Sequence, residues 1–176
     1  MGVTHAYQLV LLRHAKAEHA DSLADHLRPL ALAGRRQAGA VGTGLRGAGL
    51  IPDAALVSSA LRTRQTWDLV RTGLEVPPEI ATLSDAVYDA GVRSLLELVR
   101  ATPGEVRRLL VVGHEPTVSQ TAATLADPER SDGAALARVR TGVPTATYSV
   151  LESDTPFTDW TVGGVRLATV VTPELS

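Results

Sequence analysis

Arg13 and His14 directly follow a largely apolar run, Gln8 to Leu12, that has the length and branching of a buried parallel strand. In open α/β sheets, ligand sites lie just beyond the carboxyl ends of such strands. A neutral imidazole is a good nucleophile, and a neighbouring guanidinium can hold a phosphoryl group through two parallel hydrogen bonds. The pair therefore predicts phosphoryl chemistry, although the dipeptide alone fits a strand-end histidine beside a solvated arginine equally well.

A second strand is predicted at Ala54 to Val57, running into Ser58-Ser59, which has the residue types of a helix N-cap. The amphipathic helix that follows, from Leu61 to about Gly73, carries Arg62 in its first turn. Unpaired N–H groups and the partial positive charge of a helix N-terminus favour an anion there. Arg64 lies about 200° further around the same helix and is predicted to point away from it.

A third strand, Arg108 to Gly113, ends at His114, and a helix from Pro116 to about Ala126 follows at once. The nearby helix N-terminus disfavours a protonated imidazole, so His114 is predicted to be neutral and to act as a hydrogen-bond donor. The carboxyl ends of parallel strands lie on one side of a sheet. His14, Arg62 and His114 are therefore predicted to converge.

The other elements complete an α/β pattern. Residues Ala17 to Ala33 are predicted to form a loop over the end of the sheet, where functional residues collect. From Ala134 onward apolar residues alternate with polar ones, which predicts two or three strands, some of them antiparallel, including one through Ala135 and Val139. The remaining predictions are a helix at Ala31 to Gly49, a strand at Glu79 to Leu83, a loop at Ser84 to Gly91 and a helix at Val92 to Ala101.

Length and composition set the limits of function. The 176 residues predict one domain over residues 1–176, with a net charge of −2 and a pI of about 6.2. This nearly balanced charge predicts no binding to nucleic acid. No apolar run reaches the length of a membrane span, and the chain is expected to be cytoplasmic. The chain has no cysteine, which excludes thiolate nucleophiles and thiolate metal sites.

Three motifs in order resemble the histidine phosphatase superfamily, also called phosphoglycerate-mutase-like. They are Arg13-His14 after a strand, the stretch Ser58 to Thr66, and Val111-Val112-Gly113-His114-Glu115-Pro116. Within that family the chain is similar to SixA-type phosphohistidine phosphatases, through Arg-His-Ala at residues 13–15 and the stretch Asp25 to Leu30. The resemblance implies a three-layer α/β/α sandwich with a mainly parallel mixed sheet and no large cap subdomain.

The resemblance also implies a two-step transfer in which His14 is phosphorylated and water then hydrolyses the phosphohistidine. Arg13, Arg62 and His114 would hold the phosphoryl oxygens, and Arg28 is a further candidate contact. No metal and no cofactor is expected, because guanidinium groups supply the positive charge. The candidates for a general acid are Asp25, Asp85 and Asp89. The other histidines are expected to be surface or loop residues, namely His5, His19 and His26.

Three functions remain open at this stage. The first is a phosphatase acting on protein phosphohistidine, a phosphoramidate whose leaving imidazole departs easily and so demands little of a general acid. The second is a small-molecule phosphatase for nucleotide, sugar or acyl phosphates. The third is a non-catalytic module that binds a phosphorylated ligand. The expected partners are accordingly a phosphorylated protein or a small phosphorylated metabolite, with neither nucleic acid nor membrane.

Overall fold

A computed structural model describes residues 5–19 and 21–175. One six-stranded sheet runs through it in the order β3-β2-β4-β1-β5-β6. The first four strands in that order run parallel to one another, whereas β5 is antiparallel to β1 and β6 is antiparallel to β5. The strands are β1 Tyr7–Arg13, β2 Ala54–Ser58, β3 Ala81–Ser84, β4 Arg108–Gly113, β5 Tyr148–Ser153 and β6 Arg166–Val171.

Helices cover both faces of the sheet, because side chains along each central strand alternate between two buried clusters. Leu9 and Leu11 of β1 pack on the side of α4, α5 and α6, whereas Val10 and Leu12 pack on the side of α1 and α2. The fold is therefore the predicted α/β/α sandwich with a mixed sheet. The helices are α1 Leu32–Gly47, α2 Leu61–Leu74, α3 Asp85–Tyr88, α4 Val92–Arg100, α5 Thr117–Leu125 and α6 Gly133–Thr141.

Two glycines of α1 allow backbones to touch where a Cβ atom would not fit. A Cβ on Gly34 would lie 2.0 Å from the carbonyl oxygen of Lys16, so α1 packs directly on the segment after His14. A Cβ on Gly42 would lie 2.5 Å from the carbonyl oxygen of Val70 in α2. These glycines cost helix propensity, but they let α1 approach both the strand end and α2.

The prediction of a strand through Ala135 and Val139 is wrong. These residues lie in α6, whose N-cap Asp132 accepts a hydrogen bond from the N–H of Ala135. Ala135, Leu136 and Val139 are buried on one face, at a spacing that suits a helix. Over so short a stretch, the spacing of small apolar residues fits both the two-residue period of a strand and the 3.6-residue period of a helix. The N-cap at Asp132 is the feature that identifies the helix.

The other predicted elements are confirmed, with small shifts. β4 has the predicted bounds, β3 begins two residues late after a 3₁₀ turn at Pro78–Ile80, and the predicted loop at 84–91 contains the single turn α3. The segment over the sheet end contains a 3₁₀ turn at Asp25–Leu27. No helix within the described ranges is long and apolar enough to cross a bilayer.

Candidate active site

The carboxyl ends of three parallel strands meet at one edge of the sheet. In the register of β1 with β4, Arg13 pairs with Gly113, and the N–H of His14 donates to the carbonyl oxygen of Gly113 at 3.0 Å. Ser58 ends the neighbouring strand β2. The rings of His14 and His114 consequently lie 5.3 Å apart between centroids.

His14 is a buried imidazole whose tautomer is set by a backbone contact. Only 7% of the residue is exposed, and Nδ1 lies 2.7 Å from the carbonyl oxygen of Ala15. A carbonyl oxygen only accepts, so Nδ1 carries the proton and Nε2 carries the lone pair. Burial lowers the pKa of His14 to about 3, against the opposing effect of the Ala15 hydrogen bond. The ring is neutral at physiological pH.

His114 is held between a hydroxyl and a guanidinium. Its Nε2 lies 2.7 Å from Ser58 Oγ, and its Nδ1 lies 3.2 Å from Nη2 of Arg62. A guanidinium only donates, so Nδ1 accepts and the Nε2–H donates to Ser58. Burial, followed by the charge of Arg62, lowers the pKa of His114 to about 4.

Burial and the charge of Arg62 therefore account for the neutral state of His114, which the sequence-based prediction attributed to the N-terminus of the next helix, here beginning at Thr117. The prediction that Ser58-Ser59 caps α2 is wrong. Ala60 occupies the N-cap position without a side-chain cap, and the Ser58 hydroxyl accepts a hydrogen bond from His114 instead.

Arg62 is the second residue of α2 and is 6% exposed, whereas Arg64 is exposed, as the helix phase predicts. Both terminal nitrogens of Arg62 donate to Asp25. Nη1 donates to the backbone oxygen at 2.8 Å, and Nη2 donates to Oδ2 at 3.0 Å. An aspartate thus occupies the fork of the arginine that is predicted to hold phosphate.

Asp25 also accepts a hydrogen bond from the hydroxyl of Tyr88, at 2.6 Å, and its Oδ1 lies 3.7 Å from Nε of Arg28. The Tyr88 hydrogen bond lowers the pKa of Asp25 most, desolvation opposes this shift, and the hydrogen bond and charge of Arg62 add to the lowering. The Tyr88 ring packs edge-on to the His114 ring, 5.5 Å away. Sequence analysis missed Tyr88, which had no signal beyond lying between two candidate acids.

Arg13 reaches the pocket from the end of β1. Its Nη1 donates to the carbonyl oxygen of Val143 at 2.8 Å. Within the described ranges, the Nε atoms of Arg13, Arg28 and Arg62 are all buried without a hydrogen-bond partner. Buried donors without partners are rare in proteins, and those of Arg13 and Arg62, whose charges act on His14, provide sites for an anion.

The structure thus brings together His14, Arg13, Arg62, His114, Arg28 and Asp25. The other two candidate acids have different surroundings: Asp85 accepts a hydrogen bond from the Ser59 hydroxyl, and Asp89 is exposed after α3. His19 and His26 are exposed, and His5 lies 3.5 Å from Glu152, before the start of β1. Among the described residues, no group of three histidine or carboxylate side chains could hold a metal ion.

Comparisons with known proteins agree with this geometry. Residues 9–83 match the family model of the histidine phosphatase superfamily, branch 1. An uncharacterized protein from Mycobacterium tuberculosis is 41% identical over 140 residues, which cover 80% of this chain and 85% of the relative. A candidate phosphohistidine phosphatase SixA from Nakamurella multipartitia has a solved structure that matches with a TM-score of 0.81 and 33% identity, over 97% of this chain and 98% of that one.

A structure of the protein histidine phosphatase SixA complexed with tungstate matches with a TM-score of 0.75 over 94% of this chain and 97% of that one. Its 22% identity makes this a likeness of fold alone. The chain belongs to the histidine phosphatase superfamily and is a phosphatase. Its fold is the one that SixA-type members share, with no large cap.

Proposed function

We propose that this chain is a metal-independent phosphatase that transfers the phosphoryl group of protein phosphohistidine to His14 and then to water. The observation that carries the proposal is the environment of His14. Its imidazole is buried and neutral with Nε2 unprotonated, and it lies in the field of Arg62 and Arg13, whose Nε–H groups are buried without a partner in the described structure.

In the first step, Nε2 of His14 forms a bond to phosphorus, the P–N bond of the substrate breaks, and the substrate imidazole, which carries a proton on its other ring nitrogen, leaves as the neutral base. In the second step, the oxygen of a water molecule forms a bond to phosphorus, the P–Nε2 bond breaks, both protons of the water leave with inorganic phosphate, and His14 returns to its neutral form with the proton on Nδ1. The lowered pKa of His14 supports the first step, since an unprotonated nitrogen is needed for attack at neutral pH.

Positive charge at the site comes from three arginines: Arg13, Arg28 and Arg62. Preorganised guanidinium groups can stabilise the charge that develops on phosphoryl oxygens, as Mg²⁺ does in other phosphoryl-transfer enzymes. In the described structure His114 accepts a hydrogen bond from Arg62, so its role includes orienting that arginine. Its predicted donation to the phosphoryl group stays a prediction and requires the Nε2–H, which donates to Ser58 here, to change partner.

The leaving group is the basis for choosing phosphohistidine. Asp25 is the candidate acid that contacts Arg62, but its lowered pKa leaves it ionised at neutral pH, so it holds no proton to give in the resting site. An alkyl phosphate ester needs a protonated leaving group, whereas the imidazole of a phosphoramidate departs without strong protonation. An ionised Asp25 is therefore consistent with a phosphoramidate substrate such as protein phosphohistidine.

Access to the site favours a macromolecular substrate. The Asp25 side chain, in contact with the buried Arg62, is 56% exposed, so the site reaches the protein surface at Asp25. The chain between Arg62 and His114 is used by α2, β3, α3, α4 and β4 and contains no inserted cap. A phosphate presented on the surface of another protein can therefore reach the pocket.

A panel of phosphodonors tests the proposal: phosphohistidine protein, acetyl phosphate, a nucleotide and a sugar phosphate, each with EDTA. We expect the highest kcat/KM with phosphohistidine protein, no effect of EDTA, and inhibition by tungstate. A higher kcat/KM with a small phosphate would make the chain a small-molecule phosphatase. A complete lack of turnover would favour a non-catalytic module that binds a phosphorylated ligand.

A further inference from the structure

Glu115 is an acidic residue beside the arginine pocket, directly after His114, and the transfer scheme does not use it. Its carboxylate accepts hydrogen bonds from the N–H of Ser119 at 2.8 Å, the hydroxyl of Ser119 at 2.7 Å and the N–H of Val143 at 3.1 Å. A negative charge near a site for a phosphate dianion opposes binding. The Glu115 carboxylate is therefore expected to have a role that offsets this repulsion.

Val143 connects Glu115 to Arg13. Its N–H donates to Oε2 of Glu115, and its carbonyl oxygen accepts the hydrogen bond from Nη1 of Arg13. Val143 is 5% exposed and packs in the core cluster with α5 and α6, so it is a rigid link. With Nη1 bound to Val143, the edge of the Arg13 guanidinium formed by Nε and Nη2 is the one left to face a phosphoryl group.

The segment Gly142 to Thr147, here called the arch, holds the end of β1 through its backbone. The N–H of Arg13 donates to the carbonyl oxygen of Thr147 at 3.0 Å, and the carbonyl oxygen of Arg13 accepts from the N–H of Ala146 at 3.2 Å. The arch has no carboxylate of its own. The Glu115 side chain joins the arch to α5, at the residue whose carbonyl oxygen orients Arg13.

We propose that Glu115 is a positioning residue that fixes Val143 and thereby aims the Nε and Nη2 edge of the Arg13 guanidinium at the phosphoryl oxygens. The inference rests on the proposed function, which makes a phosphoryl group the ligand of Arg13. Burial lowers the pKa of Arg13, and the charge of Glu115 opposes that shift, as expected for a carboxylate close to the guanidinium.

Glu115→Gln is the sharpest substitution because it keeps the shape of the side chain. Both carboxylate oxygens accept from a backbone N–H, one from Ser119 and one from Val143. Whichever way the glutamine amide is turned, its NH₂ group faces one of these donors. If that donor is Val143, the link to Arg13 is broken directly. If it is Ser119, the carboxamide shifts and the link is weakened.

A double-mutant cycle on tungstate binding tests the proposal, using calorimetry on the wild type, Glu115→Gln, Arg13→Ala and the double variant. We expect Glu115→Gln to raise the tungstate Kd about tenfold, the lower end of the loss for a hydrogen bond to a charged group. In the Arg13→Ala background the same substitution should change Kd by less than about twofold, since residues that act through one another are not additive. Equal losses in both backgrounds would overturn the proposal.

Ser119→Ala is the matched control, because it removes one hydrogen bond to Glu115 and leaves the Val143 contact in place. We expect its tungstate Kd and kcat to stay close to those of the wild type. A loss as large as that of Glu115→Gln would assign the effect to the first turn of α5 and refute a role through Arg13.

Thermal unfolding of each variant separates positioning from folding. If Glu115→Gln does not fold, Glu115→Asp, which keeps the charge and shortens the reach, replaces it in the cycle and must show the same dependence on Arg13. The tungstate cycle needs no substrate. A protein without turnover on any donor would therefore overturn the proposed function, while the cycle would still decide the role of Glu115.

Discussion

The parallel and antiparallel parts of the sheet contribute to the candidate site in different ways. The parallel strands β1, β2 and β4 deliver side chains that could act on phosphate, Arg13, His14, Arg62 and His114, at or just after their carboxyl ends. The arch, which leads into the antiparallel strand β5, contributes backbone carbonyl and N–H groups instead. Chemistry thus comes from one region, and the support of Arg13 comes from the other.

This difference explains which parts of the site are visible in a sequence. An arginine or histidine after an apolar strand is distinctive, because the residue type itself carries the chemistry. A backbone carbonyl oxygen such as that of Val143 is present at every position, so nothing in the sequence marks the one that orients Arg13. The predictions below compare substitutions in the two regions, beginning with the largest expected effect.

The proposed nucleophile gives the largest effect. His14→Ala removes the only group in the scheme that can carry the phosphoryl intermediate, so turnover should be lost. Brief incubation of the wild type with a labelled phosphodonor should yield an acid-labile, base-stable phosphoenzyme, as expected for phosphohistidine. Label retained at the wild-type level in His14→Ala would contradict the assignment.

Arg62→Ala should lower kcat by about 10² to 10³, the loss seen when one preorganised donor is removed from a developing oxyanion. Arg62→Lys should recover only part of this loss, because an ammonium cannot make the bidentate contact of a guanidinium. The matched control is Arg64→Ala, an exposed arginine on the same helix. A normal Arg62→Ala beside an inactive Arg64→Ala would show that the wrong side of α2 has been assigned.

Asp25→Asn tests the contact that occupies Arg62. Removing the carboxylate charge removes an anion that competes with the ligand for the Arg62 fork, so the tungstate Kd should fall severalfold. If Asp25 also serves as an acid for poor leaving groups, kcat should fall for an alkyl phosphate and not for phosphohistidine protein. An unchanged tungstate Kd would show that Asp25 does not compete for the fork.

A substitution that strains the backbone of the arch should have a smaller effect. Gly142 has φ +94 and ψ 159, a conformation nearly restricted to glycine, and a Cβ there would lie 3.4 Å from Oε2 of Glu115. Gly142→Ala should cost about 1 to 3 kcal/mol, which lowers Tm by about 2 to 12 °C in a chain of this size. Gly47→Ala, in α1 with open space around it, is the control and should not lower Tm.

The pH dependence of stability concerns the strand ends and not the arch, because the arch has no titratable side chain. The pKa values of His14 and His114 are about 3 and about 4 in the folded protein, below the ordinary value of 6.5. The unfolded chain therefore binds more protons between these values, and folding stability from these groups falls as pH drops from 6.5 towards 4. Urea unfolding at several pH values measures how steeply the free energy of unfolding changes with pH. His14→Asn should make this change less steep.

Particular elements show how far the sequence could be interpreted. The bounds of β4 and the phase of α2, with Arg62 inward and Arg64 outward, follow from apolar periodicity. The helix α6 was predicted as a strand, because a few small apolar residues fit either period. Among the three candidate acids, only the folded chain shows that Asp25 contacts Arg62. Tyr88 and Glu115 gain a place at the site solely through partners distant in sequence.

The sequence by itself determined the class of fold, the family, and the side chains that meet at the sheet edge. Apolar runs of strand length must be buried, and the polar residues that end them must then lie together at one edge. Three properties of the site follow only from the tertiary structure. They are the protonation states of His14 and His114, the contact of Asp25 with Arg62, and the hydrogen bonds that hold Arg13. These properties depend on burial and on hydrogen-bond partners, which exist only once distant parts of the chain are packed against one another.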